Sequence, residues 1–247
     1  MSTRESISDT GLVGREAELA SLTSALDAAC ELGPCLVVLT GDAGVGKSRL
    51  AREIASRART RGMITLQGDC VELSGGEIPY GPLAAAIREL DADVMAEVVA
   101  ELPAAARRQL ARAFPGLPFA SDSMGLAGDE LTQAELFGWL LLFWGGVSSS
   151  APLLVMIEDV QWADASTRDF LLFLSQQMRS ERLCVLATLR SNELSAEHPV
   201  RPMVERLASQ RSRSAARVGS VVTSRCGAAR ARHPGRAASA RVHAAPV

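Results

Sequence analysis

Eight consecutive residues, Gly41-Asp42-Ala43-Gly44-Val45-Gly46-Lys47-Ser48, bring three glycines, a lysine and a hydroxyl into one short stretch. Glycines let successive backbone N–H groups turn inward, and inward-facing N–H groups bind phosphate oxygens. A lysine there supplies a compact positive charge, and a serine hydroxyl is a ligand for Mg²⁺. The spacing Gly-x4-Gly-Lys-Ser is that of a phosphate-binding P-loop, in which Lys47 would reach the β- and γ-phosphates of a nucleoside triphosphate. Arg49 follows directly, at the start of the next helix. Lys47 is the sole lysine among 26 basic residues. In an arginine-biased chain, of the kind a GC-rich gene encodes, a lone lysine falls where a compact ammonium is needed.

Such a loop needs an acid nearby to hold the magnesium shell and polarise water. Glu158 and Asp159 follow the apolar run Leu153–Ile157, and a carboxylate pair leaving a buried strand is costly unless paired or linked to metal. Either acid suits either role. Glu158 stands first, where an aspartate near the metal water is usual, and Asp159 stands where the water-activating acid is usual. Arg190 ends a second apolar run, Leu183–Leu189, where parallel sheets place their ligands. Its guanidinium could touch a γ-phosphate and report its presence; a surface salt bridge is the competing account.

The elements that must position these groups are legible from periodicity. Leu19, Leu22, Leu26 and Ala29 form a helical stripe, broken at Gly33-Pro34. Cys35–Thr40 reads as a buried parallel strand, Lys47–Thr60 as a helix and Met63–Gln67 as a second strand, together a βαβ unit. Helices are expected over Pro79–Leu90, Asp91–Phe114 with a break at Pro103, and Leu131–Val147, whose aromatics read as core packing. Leu153–Ile157 and Leu183–Leu189 are the third and fourth strands. Between them, Ala165–Met178 is a helix with Asp164 as its N-cap, and Pro202–Ser209 begins a last helix. The fold class is α/β: a three-layer P-loop NTPase with a mainly parallel sheet.

The chain has 247 residues, 47 % of them hydrophobic, enough for one α/β domain with a small appendage. A net charge of −2 conceals an asymmetry: from residue 201 onward ten arginines face a single acid, Glu205. The five cysteines form no CxxC pair, and Cys35 and Cys184 lie in apolar runs as buried free thiols. Residues 1–10 are polar and are expected to be disordered, with no signal-peptide core, and Leu136–Val147 is too short to span a bilayer. The expectation is a cytoplasmic protein with no membrane partner.

Val13-Gly14-Arg15-Glu16, the P-loop, Pro79-Tyr80, Glu158-Asp159-Val160-Gln161-Trp162-Ala163-Asp164 and Thr188-Leu189-Arg190-Ser191-Asn192-Glu193 occur in that order. Together they resemble the N-terminal ATPase domain of the large ATP-binding LuxR-type bacterial regulators, STAND-class relatives of the AAA+ group. The resemblance covers about residues 11–209. It implies a five-stranded parallel sheet, ATP/ADP-dependent switching with slow hydrolysis, and Mg²⁺ as the cofactor ion. It places Val13, Gly14 and Arg15 near the adenine and makes Arg190 the γ-phosphate sensor. Self-association through the ATPase domain is among the partners it implies.

In such regulators a lid, a sensor region and a DNA-binding helix-turn-helix follow, and none of these is expected within this chain. After Glu205-Arg206-Leu207 the family continues into a fifth strand beside the P-loop strand. Here residues 210–247 turn instead to Arg, Ala and Ser, so the fifth strand is expected to be missing and the tail disordered. A reading-frame shift or truncation in a GC-rich gene accounts for that change. A basic arm that binds nucleic-acid phosphates is the rival account, and an ATP-binding fragment without productive turnover is a third reading of the whole chain.

Overall fold

A computed structural model describes residues 14–31, 33–72, 77–119, 132–195 and 197–209, and the backbone of 217–224. The first element, α1 (Glu16–Glu31), leads into β1 (Cys35–Gly41), α2 (Lys47–Thr60) and β2 (Ile64–Asp69). Three helices follow: α3 (Gly81–Arg88), α4 (Ala92–Glu101) and α5 (Ala104–Ala113), the last two separated at Leu102-Pro103. Pro103 lacks the N–H that would continue α4 and itself serves as the N-cap of α5. Next come α6 (Gln133–Ser150), β3 (Leu153–Glu158), α7 (Ala165–Gln177), β4 (Leu183–Arg190), α8 (Arg201–Ser209) and β5 (Arg217–Ser224).

The strands lie in the order β2-β3-β4-β1-β5, and every adjacent pair is parallel. Side chains alternate across the sheet as a strand requires. Leu36 and Val38 of β1, with Leu153, Val155 and Ile157 of β3, enter one core with α3 to α8. Cys35, Val37 and Leu39, with Leu154 and Met156, enter a second core with α1 and α2. Both faces are therefore covered, which explains the unbroken apolar runs of β1, β3 and β4. The aromatic residues of α6 serve the first core: Phe143 and Trp144 are fully buried, and Phe137 packs on Phe170 with ring centroids 5.2 Å apart. Cys35 and Cys184 are buried free thiols.

The fifth strand corrects the expectation that it is missing. Arg217–Ser224 pairs with β1 from Cys35↔Arg217 to Gly41↔Ser224, with one register shift between Val37 and Leu39. The β1 edge carries a row of backbone donors and acceptors that β4 cannot reach, and such an edge is a template for another strand. Val218, Val221, Val222 and Thr223 are β-branched residues suited to that place. The rest of 210–247 lies outside the described residues, as does Cys226.

Gly68 sets the spacing between β2 and α3. A Cβ at this position would stand 1.9 Å from the carbonyl oxygen of Pro82. Both partners are backbone, so Gly68→Ala must push the start of α3 off the sheet. The expected loss is about 1–3 kcal/mol, read as a lower urea midpoint at unchanged slope.

Candidate functional site

Because the strands are parallel, the carboxyl ends of β1, β3 and β4 open on one edge of the sheet. Gly41, the last residue of β1, lies opposite Arg190, the last residue of β4. The P-loop crosses this edge and enters α2, with Gly44 at φ 77° and Gly46 at φ 88°. Those left-handed values favour glycine, and a Cβ at either position would meet open space, so backbone conformation selects the residue type. Gly46 is also the N-cap of α2, which directs the helix N-terminus at the loop. Ser48 and Arg49 are exposed in the first turn of that helix, as are Ala43 and Gly44 in the loop.

Lys47 is 9 % exposed, and its Nζ donates to the carbonyl oxygens of Gly41 at 2.8 Å and Asp42 at 3.0 Å. Burial pushes its pKa below the ordinary lysine value, and Asp159 is the first of the charges that oppose this. Two more bonds tie the loop to the segment after β4. The Ser191 hydroxyl donates to Asp42 Oδ1 at 2.8 Å, and the Ala43 N–H donates to Asn192 Oδ1 at 3.2 Å.

The two acids have different surroundings. Glu158 is the last residue of β3, 8 % exposed, and its Oε1 accepts from Gln67 Nε2 on β2 at 3.2 Å. Asp159 leaves the sheet in the left-handed region, φ 53°, with its N–H donated to the Thr188 hydroxyl at 2.9 Å. That conformation is strained for a residue with a Cβ and turns the carboxylate toward β4. There Arg190 meets it in a fork, Nε to Oδ1 at 3.1 Å and Nη2 to Oδ2 at 3.0 Å. Arg190 Nη1 also donates to Glu193 at 3.0 Å, and these bonds, Asp159 first, hold the guanidinium pKa above its ordinary value.

The N-terminal motif reaches the loop through Arg15. Its Nη2 donates to the Val45 carbonyl oxygen at 2.8 Å, and its Nη1 pairs with Glu18 at 3.0 Å. Glu18 is 1 % exposed, so Arg15 compensates a buried charge while bracing the P-loop. Gly14 stands one residue earlier at φ 78°, and Val13 lies outside the described residues. Beyond Glu158-Asp159, a single 3-10 turn, Val160–Trp162, leads to Asp164. This residue caps α7 by accepting from the Thr167 N–H at 2.9 Å and also receives the Tyr80 N–H at 3.1 Å.

Residues 11–186 match the family model described as the AAA ATPase domain, across more than two thirds of the chain. The chain belongs to the AAA ATPase domain family. An uncharacterised protein of Rhizobium meliloti (strain 1021) is 28 % identical over 219 residues, which is 83 % of this chain and 21 % of that relative. The chain thus spans about a fifth of the curated relative's length. Among solved structures, Cdc6p from Pyrobaculum aerophilum is 14 % identical with a TM-score of 0.44, covering 81 % of this chain and 45 % of that one. AMPPCP-bound DnaA from Aquifex aeolicus is likewise 14 % identical, with a TM-score of 0.36, covering 79 % of this chain and 44 % of that one.

In this AAA ATPase domain, Asp159 pairs with Arg190 near enough to Lys47 for both charges to act on it, while Glu158 faces Gln67. No sequence motif assigns a role to Gln67, Gln161, Thr188, Ser191, Asn192 or Glu193 on its own. The available signal was position: all but Thr188 and Gln67 lie within three residues past the carboxyl end of β3 or β4. A cleft of about 530 Å³ opens beside the site, bordered by Asp69, Cys70, Trp162, Asp164 and Arg168. Burial pushes the Cys70 thiol up to about 12, which removes it as a nucleophile at neutral pH. Among the described residues no helix is long and apolar enough to cross a membrane.

Proposed function

We propose that the chain binds ATP and ADP with Mg²⁺ at the P-loop and acts as the slowly hydrolysing nucleotide switch of a LuxR-type regulator. The observation that carries this reading is the fork between Asp159 and Arg190, formed beside the buried Lys47. In it, the acid suited to polarise water is held by the arginine suited to sense a phosphate.

The donor set fits the ion: the Ser48 hydroxyl and the carboxylates of Glu158 and Asp159 are hard oxygen ligands, as Mg²⁺ requires. Bound there, Mg²⁺ would neutralise charge developing on the phosphate oxygens. Lys47 would exchange two neutral carbonyl acceptors for anionic phosphate oxygens, a gain because the new acceptors carry the opposite charge. Arg190 would turn from Asp159 to a terminal phosphate. Asp159, freed of its counter-ion, would accept a proton from water. Glu158, held by Gln67, suits the metal side of the site. Gly14 and Arg15 flank the loop where the resemblance puts the adenine.

The cost of separating a bidentate pair accords with slow turnover. It also favours one rival reading, binding without turnover, since both Asp159 oxygens are engaged. Phosphate release from Mg²⁺-ATP by the full chain decides between them. Release that is slow, catalytic and abolished by chelating Mg²⁺ is the expected result. Saturable binding with no release over many hours would leave only the binding reading. Self-association and a cytoplasmic setting belong to the same proposal, and a nucleic-acid-binding role for the arginine-rich end is a rival to it.

A further inference from the structure

One side chain joins the acid and the arginine. The backbone ladder between β3 and β4 ends at Ile157↔Ala187, because β3 turns away at Asp159. Past that point the ladder is continued by side chains. Thr188 Oγ1 accepts from the Asp159 N–H at 2.9 Å, and Gln161 Oε1 accepts from the Arg190 N–H at 3.1 Å. The other end of the same amide, Gln161 Nε2, donates to Asp159 Oδ1 at 3.1 Å. Gln161 thus holds the main chain of the arginine and the carboxylate of the acid at once. It is 4 % exposed, so water is poorly placed to replace either bond.

We propose that Gln161 is a positioning residue that couples Asp159 to Arg190, an inference that rests on the nucleotide reading above. A primary amide suits the place because it offers an acceptor to the N–H and a donor to the carboxylate. Its orientation follows from those partners: the N–H needs the oxygen and the carboxylate needs the nitrogen. A carboxylate at 161 would keep the first bond and set a like charge against Asp159. An aliphatic side chain would keep neither.

The consequence concerns what happens when Arg190 turns to a phosphate. Asp159 Oδ1 has two donors, Arg190 Nε and Gln161 Nε2, whereas Oδ2 has the arginine. When the guanidinium leaves, Gln161 and the Thr188 hydroxyl keep Asp159 where it stands. The arginine moves and the acid stays. Without Gln161 the carboxylate is free to follow its counter-ion, and the pair no longer separates cleanly.

The test compares the full chain with Gln161→Leu and Gln161→Glu, each alone and combined with Arg190→Ala. Affinities for ADP and for a non-hydrolysable ATP analogue, both with Mg²⁺, are measured beside turnover. Both single variants should bind ADP within about twofold of wild type, lose about tenfold of the preference for the ATP analogue, and lose about tenfold in kcat. In the Arg190→Ala background, Gln161→Leu should change that preference by less than about twofold, because the group it positions is gone. Gln161→Glu retains the acceptor for the Arg190 N–H and guards against simple misfolding. Unchanged preference in both single variants, or equal effects in the two backgrounds, overturns the coupling while leaving the nucleotide reading intact. Failure of the wild-type chain to bind either nucleotide overturns both.

Discussion

Lys47→Ala should weaken binding of Mg²⁺-ADP and of an ATP analogue by about 100-fold. The change removes the ammonium that would meet the β- and γ-phosphates, and one charge-assisted hydrogen bond contributes about 1.5–3 kcal/mol. The fold should suffer far less. Lys47 Nζ bonds the buried Gly41 carbonyl and the part-buried Asp42 carbonyl, and deleting the side chain loses those two bonds but also removes a charge that burial disfavours. The two readouts therefore separate: affinity collapses by titration calorimetry while the thermal midpoint moves by only a few degrees. An affinity within threefold of wild type would show that the loop is a glycine-rich turn with no phosphate to hold.

The second large effect belongs to Asp159→Asn. A positioned general base typically contributes about 10²–10⁴-fold, so phosphate release should fall by at least about 100-fold. Affinity for ADP without Mg²⁺ should stay near wild type, because Asp159 faces Arg190 rather than the loop amides. The asparagine also offers Arg190 one neutral acceptor in place of a bidentate carboxylate. Release of the guanidinium then becomes easier, and affinity for the ATP analogue should rise or hold even as turnover is lost. Single-turnover phosphate release beside equilibrium titration reads both quantities. Turnover surviving in Asp159→Asn but lost in Glu158→Gln would transfer the water-activating role to Glu158.

Much of this was legible in the order of residues. Cys35–Thr40, Leu153–Ile157 and Leu183–Leu189 are continuous apolar runs because both sheet faces are covered, and that pattern is strong in sequence. Pro103 marked the break between α4 and α5, and Asp164 marked the start of α7. The P-loop was readable because its function depends on local glycine conformation, visible within eight residues.

The partner choices were not readable in the same way. That Arg190 forks onto Asp159, while Glu158 turns to Gln67, depends on the left-handed turn at Asp159 and on β4 lying between β3 and β1. Neither is a property of a local window. Arg15 was placed by resemblance near the adenine, and the brace its guanidinium makes to Val45 and Glu18, spanning 30 residues in the first case, is not visible in a local window. The fifth strand was obscured for a different reason. Composition averaged over 210–247 is dominated by Arg, Ala and Ser, and that average hid the β-branched residues between Arg217 and Ser224.

We propose this sheet edge as a nucleotide site built on Lys47. Its most direct measurement is equilibrium titration of the full chain with Mg²⁺-ADP and with a Mg²⁺-loaded ATP analogue, beside Lys47→Ala. One nucleotide per chain is expected, with saturable binding that is about 100-fold weaker in the variant. No saturable binding, or equal binding by both proteins, would contradict it.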